Sequence, residues 1–365
     1  MVKKAFIYAY TNMNLGDDLF IKILCDRYPK TKFYIVCNIK VMKGLRKISN
    51  LRIIPSIPII DAILYKLAIK INVNEYLKIQ ISKTCDVIIH IGGSIFQQPE
   101  NIDEEIILYK KRMVKGKPFF ILGSNFGPFN KEKYYYSYKS IFNYATDICF
   151  RDKFSFDLFS NLPNVRYAPD IVFNYNNYNY NIKEKNQIII SAIDLTNRKN
   201  LKKYENIYIK FLIEISKEFI RRKYDVCFLA FCKNEGDYEI IKKIMMNIDY
   251  EDKHNIKYYI YNGDIKRTLK ILQESKIVIA TRFHAIILGW IFNKKVLPII
   301  YNLKSENVIN DMKIENRHVN IESISKVDVN QLIINLLNSD SINISSHKEY
   351  SKMQFKQLDK YLLEK

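Results

Sequence analysis

Residues 276–292 read Lys-Ile-Val-Ile-Ala-Thr-Arg-Phe-His-Ala-Ile-Ile-Leu-Gly-Trp-Ile-Phe. Lys276–Ala280 is a short apolar run of the kind buried inside a parallel sheet, and Ala285–Phe292 continues as a helix. A strand feeding straight into a helix is half of a βα unit, and the same alternation recurs along the chain. In the first half, buried strands are expected at Ala5–Tyr10, Lys32–Cys37, Val87–Ile91, Phe119–Leu122 and Asp147–Phe150. In the second half they are expected at Gln187–Ala192, Val226–Phe231, Ile256–Ile260, Lys276–Ala280 and Val296–Tyr301, with longer amphipathic segments between. The expected fold class is α/β: two doubly wound, Rossmann-like domains facing a cleft. The polar, Asn- and Tyr-rich stretch Asn174–Asn186 is the linker candidate. It divides the chain into an N-terminal domain at 1–175 and a C-terminal domain at 186–325. Residues 326–365 read as C-terminal helices, with apolar Leu332, Ile333, Leu336 and Leu337, then Phe355, Leu358, Tyr361 and Leu362.

Bulk properties bound the function. A chain of 365 residues, 48% hydrophobic, can fill two cores without a covalent staple. The net charge of +20 suits an anionic partner: a phosphorylated substrate, an anionic membrane surface or nucleic acid. The lysines are scattered rather than blocked, so most of this charge reads as compositional. With no zinc-finger, homeodomain or RNA-recognition signature, no nucleic-acid partner is expected. The six cysteines (Cys25, Cys37, Cys85, Cys149, Cys227, Cys232) form no Cys-x-x-Cys pair and sit mostly in apolar runs. They read as buried free thiols of a reducing compartment. Ala5–Tyr10 is too short for a signal-peptide core. No uncharged run approaches the roughly 20 residues of a membrane span. A cytoplasmic protein is expected.

In open α/β sheets, ligands bind beyond the carboxyl ends of the strands. Only ten glycines are present, and five lie just after expected first-half strands: Gly16, Gly92, Gly93, Gly123 and Gly127. Any one of them is as readily a tight turn as a site; together on one sheet edge they favour a site. Asn14-Leu-Gly-Asp-Asp18 follows the first strand and opens a helix that Asp17 can cap. Gly92-Gly93-Ser94 follows the third, where its amides could cradle an anion at a helix N-terminus. Arg151 ends a strand, followed by Asp152 and Ser155, so that its guanidinium can reach the cleft and pair with carboxylate or phosphate. The bland alternative is an Arg–Asp pair that ties a loop. Asp170 is read as structural, orienting Arg151 or capping a turn.

The sharpest cluster is Thr281-Arg-Phe-His284, between strand and helix. A histidine so placed can trade a proton near neutral pH, and Arg282 beside it favours a bound anion. Lys304 follows the next strand. His90 lies within a strand and reads as core. No cluster of His and carboxylate at metal-ligand spacing exists, so neither metal nor resident cofactor is expected.

These residues resemble a known family, the polysaccharide pyruvyl transferases. Seven pieces match in order: Asn14-Leu-Gly-Asp-Asp18, Asp86-Val-Ile-Ile-His-Ile-Gly-Gly-Ser94, Leu122-Gly-Ser-Asn-Phe-Gly-Pro128, Arg151-Asp152 with Ser155, Pro169-Asp170, Arg282-Phe-His-Ala285, and Tyr301 with Lys304. The resemblance implies a two-domain fold like that of the B-type glycosyltransferases. It implies phosphoenolpyruvate as co-substrate, a sugar acceptor that is often lipid-linked or polymer-bound, and ketal formation in cell-surface polysaccharide biosynthesis. The family's Arg, His and Lys map onto Arg151, His284 and Lys304 as catalytic residues. Substrate binding is expected from Arg282, Asn14, Gly16, Asp17, Gly92, Gly93, Ser94 and Gly127. Gly-Gly-Gly, frequent in the family, is replaced by the segment running from His90 to Gly93. The alternative reading is a nucleotide-sugar-dependent glycosyltransferase on the same fold.

The segment from Ile57 to Lys83 places Ile60, Ile63, Leu64, Leu67, Ala68 and Ile71 at near-helical spacing, with Lys66, Lys70 and Lys78 on or near the other face. It reads first as an amphipathic helix packed on the sheet. The alternative is a peripheral contact with the anionic inner face of a membrane.

Overall fold

The computed structural model describes residues 2–56, 73–100, 107, 110, 111, 113–176, 182–196, 198, 200–311 and 317–364; the side chains of residues 73, 303, 304, 308 and 311 are outside that description. Residues 57–72, the first part of the basic amphipathic segment, lie outside the described residues. Val73–Lys83 is a helix. The chain forms two compact units. The first comprises Met1–Thr11, Asp17–Asn174 and His347–Lys365; the second comprises Asn12–Gly16 and Tyr175–Ser346.

In the first unit the strands are β1 (Lys4–Ala9), β2 (Lys32–Asn38), β3 (Leu51–Ser56), β4 (Val87–Ile91), β5 (Phe119–Ser124), β6 (Asp147–Phe150) and β7 (Val165–Tyr167). They pair in the order β3-β2-β1-β4-β5-β6-β7, every neighbour parallel. The second unit repeats the plan with β8 (Gln187–Ser191), β9 (Asp225–Ala230), β10 (Ile256–Ile260), β11 (Ile277–Ala280), β12 (Lys295–Ile300) and β13 (Val319–Asn320) in the order β10-β9-β8-β11-β12-β13. Each sheet is therefore doubly wound. The strand order reverses between β1 and β4 in one and between β8 and β11 in the other, and those are the points where such sheets take ligands. All ten strands expected from the apolar runs are present, with ends within 2 residues of expectation.

The central strands β4, β5 and β6 are buried along their whole length, as strands covered on both faces must be. One face of the first sheet packs Phe6, Ile88, Ile121 and Phe150 against an aromatic layer that includes Phe96, Phe126, Phe142 and Phe159. Phe159 meets both Phe126 and Phe142 edge to face at 4.9 Å, the arrangement that aromatic quadrupoles prefer. In the second unit, Tyr208, Leu212, Ile215 and Phe219 of the helix Glu205–Arg221 cover Ile188, Ile190 and Phe228.

The helix Phe283–Ile291 is buried at all nine positions, which its apolar circumference requires. Gly289 lets it approach the sheet: a Cβ there would sit 2.6 Å from Val296 Cγ2.

The C-terminal helices do not form a separate element. Val329–Asn338 belongs to the second unit, whereas His347–Lys365 belongs to the first. Gln354 explains the latter. Its amide donates to the carbonyls of Ala168 (2.7 Å) and Pro169 (3.1 Å), and its Oε1 accepts from the Gly123 amide at 2.9 Å. The tail thus supplies hydrogen bonds that the strand ends of β5 and β7 lack among themselves. All six cysteines are buried and free. No helix among the described residues is long and apolar enough to cross a membrane.

Candidate functional site

The second unit gathers its charged side chains at the β8/β11 reversal. β11 ends at Ala280, and Arg282 stands at the N-cap of the following helix with extended backbone and no side-chain cap bond. Arg282 is buried, and its guanidinium meets two carboxylates. Nε donates to both oxygens of Asp237 at 3.0 Å; Nη2 also pairs with Asp237, and Nη1 with Glu235. Asp237 is fully buried and accepts two further bonds, from the Phe231 and Cys232 amides at 2.9 Å each. Burial raises the Asp237 carboxyl above its ordinary range, against the pull of Arg282 and the Cys232 amide. Burial also works to raise Glu235, but Arg282, Asn14 and Arg198 outweigh it and hold that carboxyl below its ordinary value. Arg282 itself lies well above its ordinary value: its two anions more than offset the cost of burying it.

His284 occupies the second position of the same helix and is buried. Its ring lies against Gly16, where any Cβ would overlap Nδ1. Gly16 sits in a turn closed by Asn14, whose Oδ1 accepts the Gly16 amide at 3.0 Å while its Nδ2 donates to Glu235 at 3.1 Å. The Leu15 amide donates to the Phe231 carbonyl at 3.1 Å, fixing the turn beside β9. Asn14, Gly16, Glu235, Arg282 and His284 thus form one connected group. The capping place falls to Asn14 rather than to the expected Asp17, which lies inside the first turn of the helix Leu15–Arg27. Asn14 directly precedes the helix, so its Oδ1 reaches the amide two residues on, whereas Asp17, three residues further, is already inside the first turn.

The first unit carries a different arrangement. Arg151 follows β6 and is 3% exposed. Nη1 pairs with Asp170 at 2.8 Å, and Nη2 donates to Asn125 at 2.5 Å and to Ser94 at 3.4 Å. Gly93 lies directly over the guanidinium, and a Cβ there would collide with it. Asp170 also accepts the Val172 amide at 2.8 Å, so it both orients Arg151 and caps a turn. Asp152 caps the helix Lys153–Leu158 through Ser155, whose hydroxyl in turn accepts the Phe126 amide at 2.7 Å.

Arg151 therefore differs from the expectation of a guanidinium reaching open space. It lies beneath the Gly92–Ser94 turn and ties that turn to the loop after β5. Gly92–Ser94 also departs from the anion cradle expected at a helix start. The chain continues from Ser94 through a turn to a parallel bridge between Phe96 and Phe126, not into a helix. Gly127 (φ 93°) donates its amide to Phe96, holding that bridge. Lys304 falls in the first turn of the helix Leu303–Asp311, and its side chain is outside the described residues.

Two residues of these groups fall in none of the motifs singled out from the sequence, Glu235 and Asp237, whereas Asn125 belongs to the matching piece Leu122–Pro128. One sequence feature does point to the two carboxylates. Gly236 stands between them just after an expected strand, and its φ of +87° and its closeness to Asp194 admit no side chain. Asp194 follows β8, across the same reversal. Among the described residues, no three potential ligands converge to hold a metal ion.

No curated protein matches the chain. Solved structures share its fold at low identity. Staphylococcus aureus MnaA, solved with UDP, is 13% identical with a TM-score of 0.60, over 100% of this chain and 97% of that one. HepE from Anabaena, solved with UDP and glucose, is 10% identical with a TM-score of 0.57, over 100% of both chains. An α-glucosyltransferase in complex with UDP and a mismatched 13-mer DNA is 10% identical with a TM-score of 0.55, over 99% of both. These likenesses place the two doubly wound units in the B-type glycosyltransferase architecture. The model of the polysaccharide pyruvyl transferases matches residues 14–302, from the Asn14 turn to two residues past β12. The chain belongs to the polysaccharide pyruvyl transferase family.

Proposed function

We propose that this protein transfers the pyruvyl group of phosphoenolpyruvate to two hydroxyls of a sugar as a cyclic ketal, with release of inorganic phosphate. The observation that carries the reading, together with family membership, is His284 at the first turn of a helix, at the carboxyl end of β11, beside the buried charge of Arg282. Chemistry of this kind needs a proton at C3 of the enol, which makes C2 electrophilic. One sugar hydroxyl adds to C2 and gives up its proton, phosphate leaves, and the second hydroxyl closes the ring with loss of its own proton. His284 is the general acid–base for these transfers. Arg282, and Lys304 by family correspondence, supply fixed positive charge for a donor that carries a carboxylate and a phosphate. Arg151 acts from behind Gly93, holding the Gly92–Ser94 turn and the loop after β5 in place.

The test is direct. Purified protein incubated with phosphoenolpyruvate and candidate sugars should release phosphate, and the acceptor should gain the mass of a pyruvyl ketal. Failure of every acceptor together with consumption of a nucleotide sugar would instead favour glycosyl transfer, the reaction class suggested by the UDP in the fold's solved relatives. Delivery of a lipid-linked acceptor at an anionic membrane face would give the +20 charge a use, at about 1 kcal/mol per basic residue near the surface. Flotation with anionic vesicles at low salt checks that arm.

A further inference from the structure

Arg282 is over-matched: one guanidinium faces two carboxylates, and the two are held very differently. Asp237 is fully enclosed and takes the Phe231 and Cys232 amides as well as Arg282. Glu235 is 26% exposed at its side chain and is tied otherwise by the Asn14 amide at 3.1 Å. A second guanidinium, Arg198, stands 4.0 Å from the same Glu235 oxygen that Arg282 holds, and it is more exposed, at 29%. Arg198 is anchored independently, by a bond from Nε to the Asp194 carbonyl at 3.0 Å and by stacking over the Tyr301 ring. It can therefore receive a carboxylate without moving far.

We propose that Glu235 is a displaceable internal carboxylate: it holds the outer edge of Arg282 and yields that place to an anionic group of the donor, passing to Arg198. This rests on the reading of phosphoenolpyruvate as donor. A phosphate or carboxylate arriving at Arg282 with Glu235 still in place would set three anions around one guanidinium. Moving Glu235 to Arg198 keeps Arg282 at two anions, Asp237 and the ligand, instead of three, and pairs Glu235 with a guanidinium of its own. The device also frees Asn14, which Glu235 holds and whose turn carries Gly16 against His284. Donor arrival and the setting of the histidine are then linked through one side chain. An internal competitor lowers apparent affinity by the fraction of molecules in which it must first be displaced.

The experiment is calorimetric titration of the full chain with phosphoenolpyruvate and, separately, with inorganic phosphate. Glu235→Gln keeps the shape and an oxygen for Asn14 but no longer competes as an anion. It should bind both ligands about tenfold more tightly than the parent. Arg198→Gln removes the receiving partner and should weaken both. Affinity in Glu235→Gln equal to or below that of the parent overturns the proposal. Tighter phosphate binding in a protein that ignores phosphoenolpyruvate would leave the displaceable carboxylate standing and sink the donor reading. Should Glu235→Gln not fold, Arg198→Gln decides: unchanged phosphate affinity in that variant rejects the mechanism.

Discussion

Two arginines stand just past the carboxyl ends of strands in two sheets of the same winding, and they are built for different work. Arg151 pairs with Asp170, and both side chains are 1% exposed. It also donates to the neutral oxygens of Asn125 and Ser94. Arg282 has two carboxylates, one enclosed and one near the surface. Each stands beside a group given room by a glycine: Gly93 over Arg151 itself, and Gly16 against His284, two residues after Arg282. The difference lies in the balance of charge. A matched, enclosed pair has nowhere to send either partner and serves as a tie between loops. An over-matched arginine with one exposed partner can exchange it for a ligand.

The largest expected effect tests that contrast. Asp170→Ala breaks a fully buried ion pair and should cost about 3–5 kcal/mol, whereas Glu235→Ala, on the exposed side of Arg282, should cost no more than about 1 kcal/mol. Melting curves by circular dichroism compare the two; equal losses would erase the distinction. Next in size, His284→Ala should lower turnover roughly 100-fold, the scale of a lost acid–base group, with the melting curve little changed. Unaltered phosphate release from phosphoenolpyruvate would remove His284 from the chemistry.

The glycines sharpen the comparison further. Gly93→Ala must push the Arg151 guanidinium aside and should destabilise the fold by about 1–3 kcal/mol. Gly16→Ala strikes the His284 ring and should show first as lost turnover. A Gly16→Ala protein with parental activity and lowered stability would mean that the turn serves packing alone.

The smallest effect concerns pH. His90 is enclosed between Tyr8 and Phe96, and burial, helped by Lys110 and Lys78, holds it well below its ordinary value of 6.5. The unfolded chain takes up that proton first. The stability His90 permits is therefore complete above about pH 6.5 and declines as pH falls toward the lower folded value. His90→Phe should flatten that acid limb, read as the difference in melting temperature between neutral and mildly acidic buffer; an unchanged slope would assign the acid sensitivity elsewhere.

Much of the fold was legible because parallel central strands announce themselves. Val87–Ile91 and Ile277–Ala280 are short, apolar and rich in β-branched residues, and each is followed by a turn. Among the described residues, the strands that the apolar runs do not mark are β3, β7 and β13, all at sheet edges. An edge strand is covered less, so it needs no continuous apolar run and tolerates Pro55, whose absent amide costs nothing on an unpaired side. For the cap of the first helix Asn14 and Asp17 are equally plausible as letters, and only the turn geometry separates them.

The sequence by itself determined the doubly wound plan, the turns after β4 and β11, and the residues Arg151, Arg282 and His284 that stand beside them. Those features are local, set by apolar periodicity and by which residues end a strand. Tertiary structure alone decided what each side chain faces. Arg151 meets Asp170 from 19 residues away and Arg282 meets Asp237 from 45, separations at which no spacing rule connects a guanidinium to its carboxylate. Burial then decided the rest, because the same kind of arginine is locked in place when its partner is enclosed, as Asp170 is, and stays accessible on one side when a partner lies near the surface, as Glu235 does.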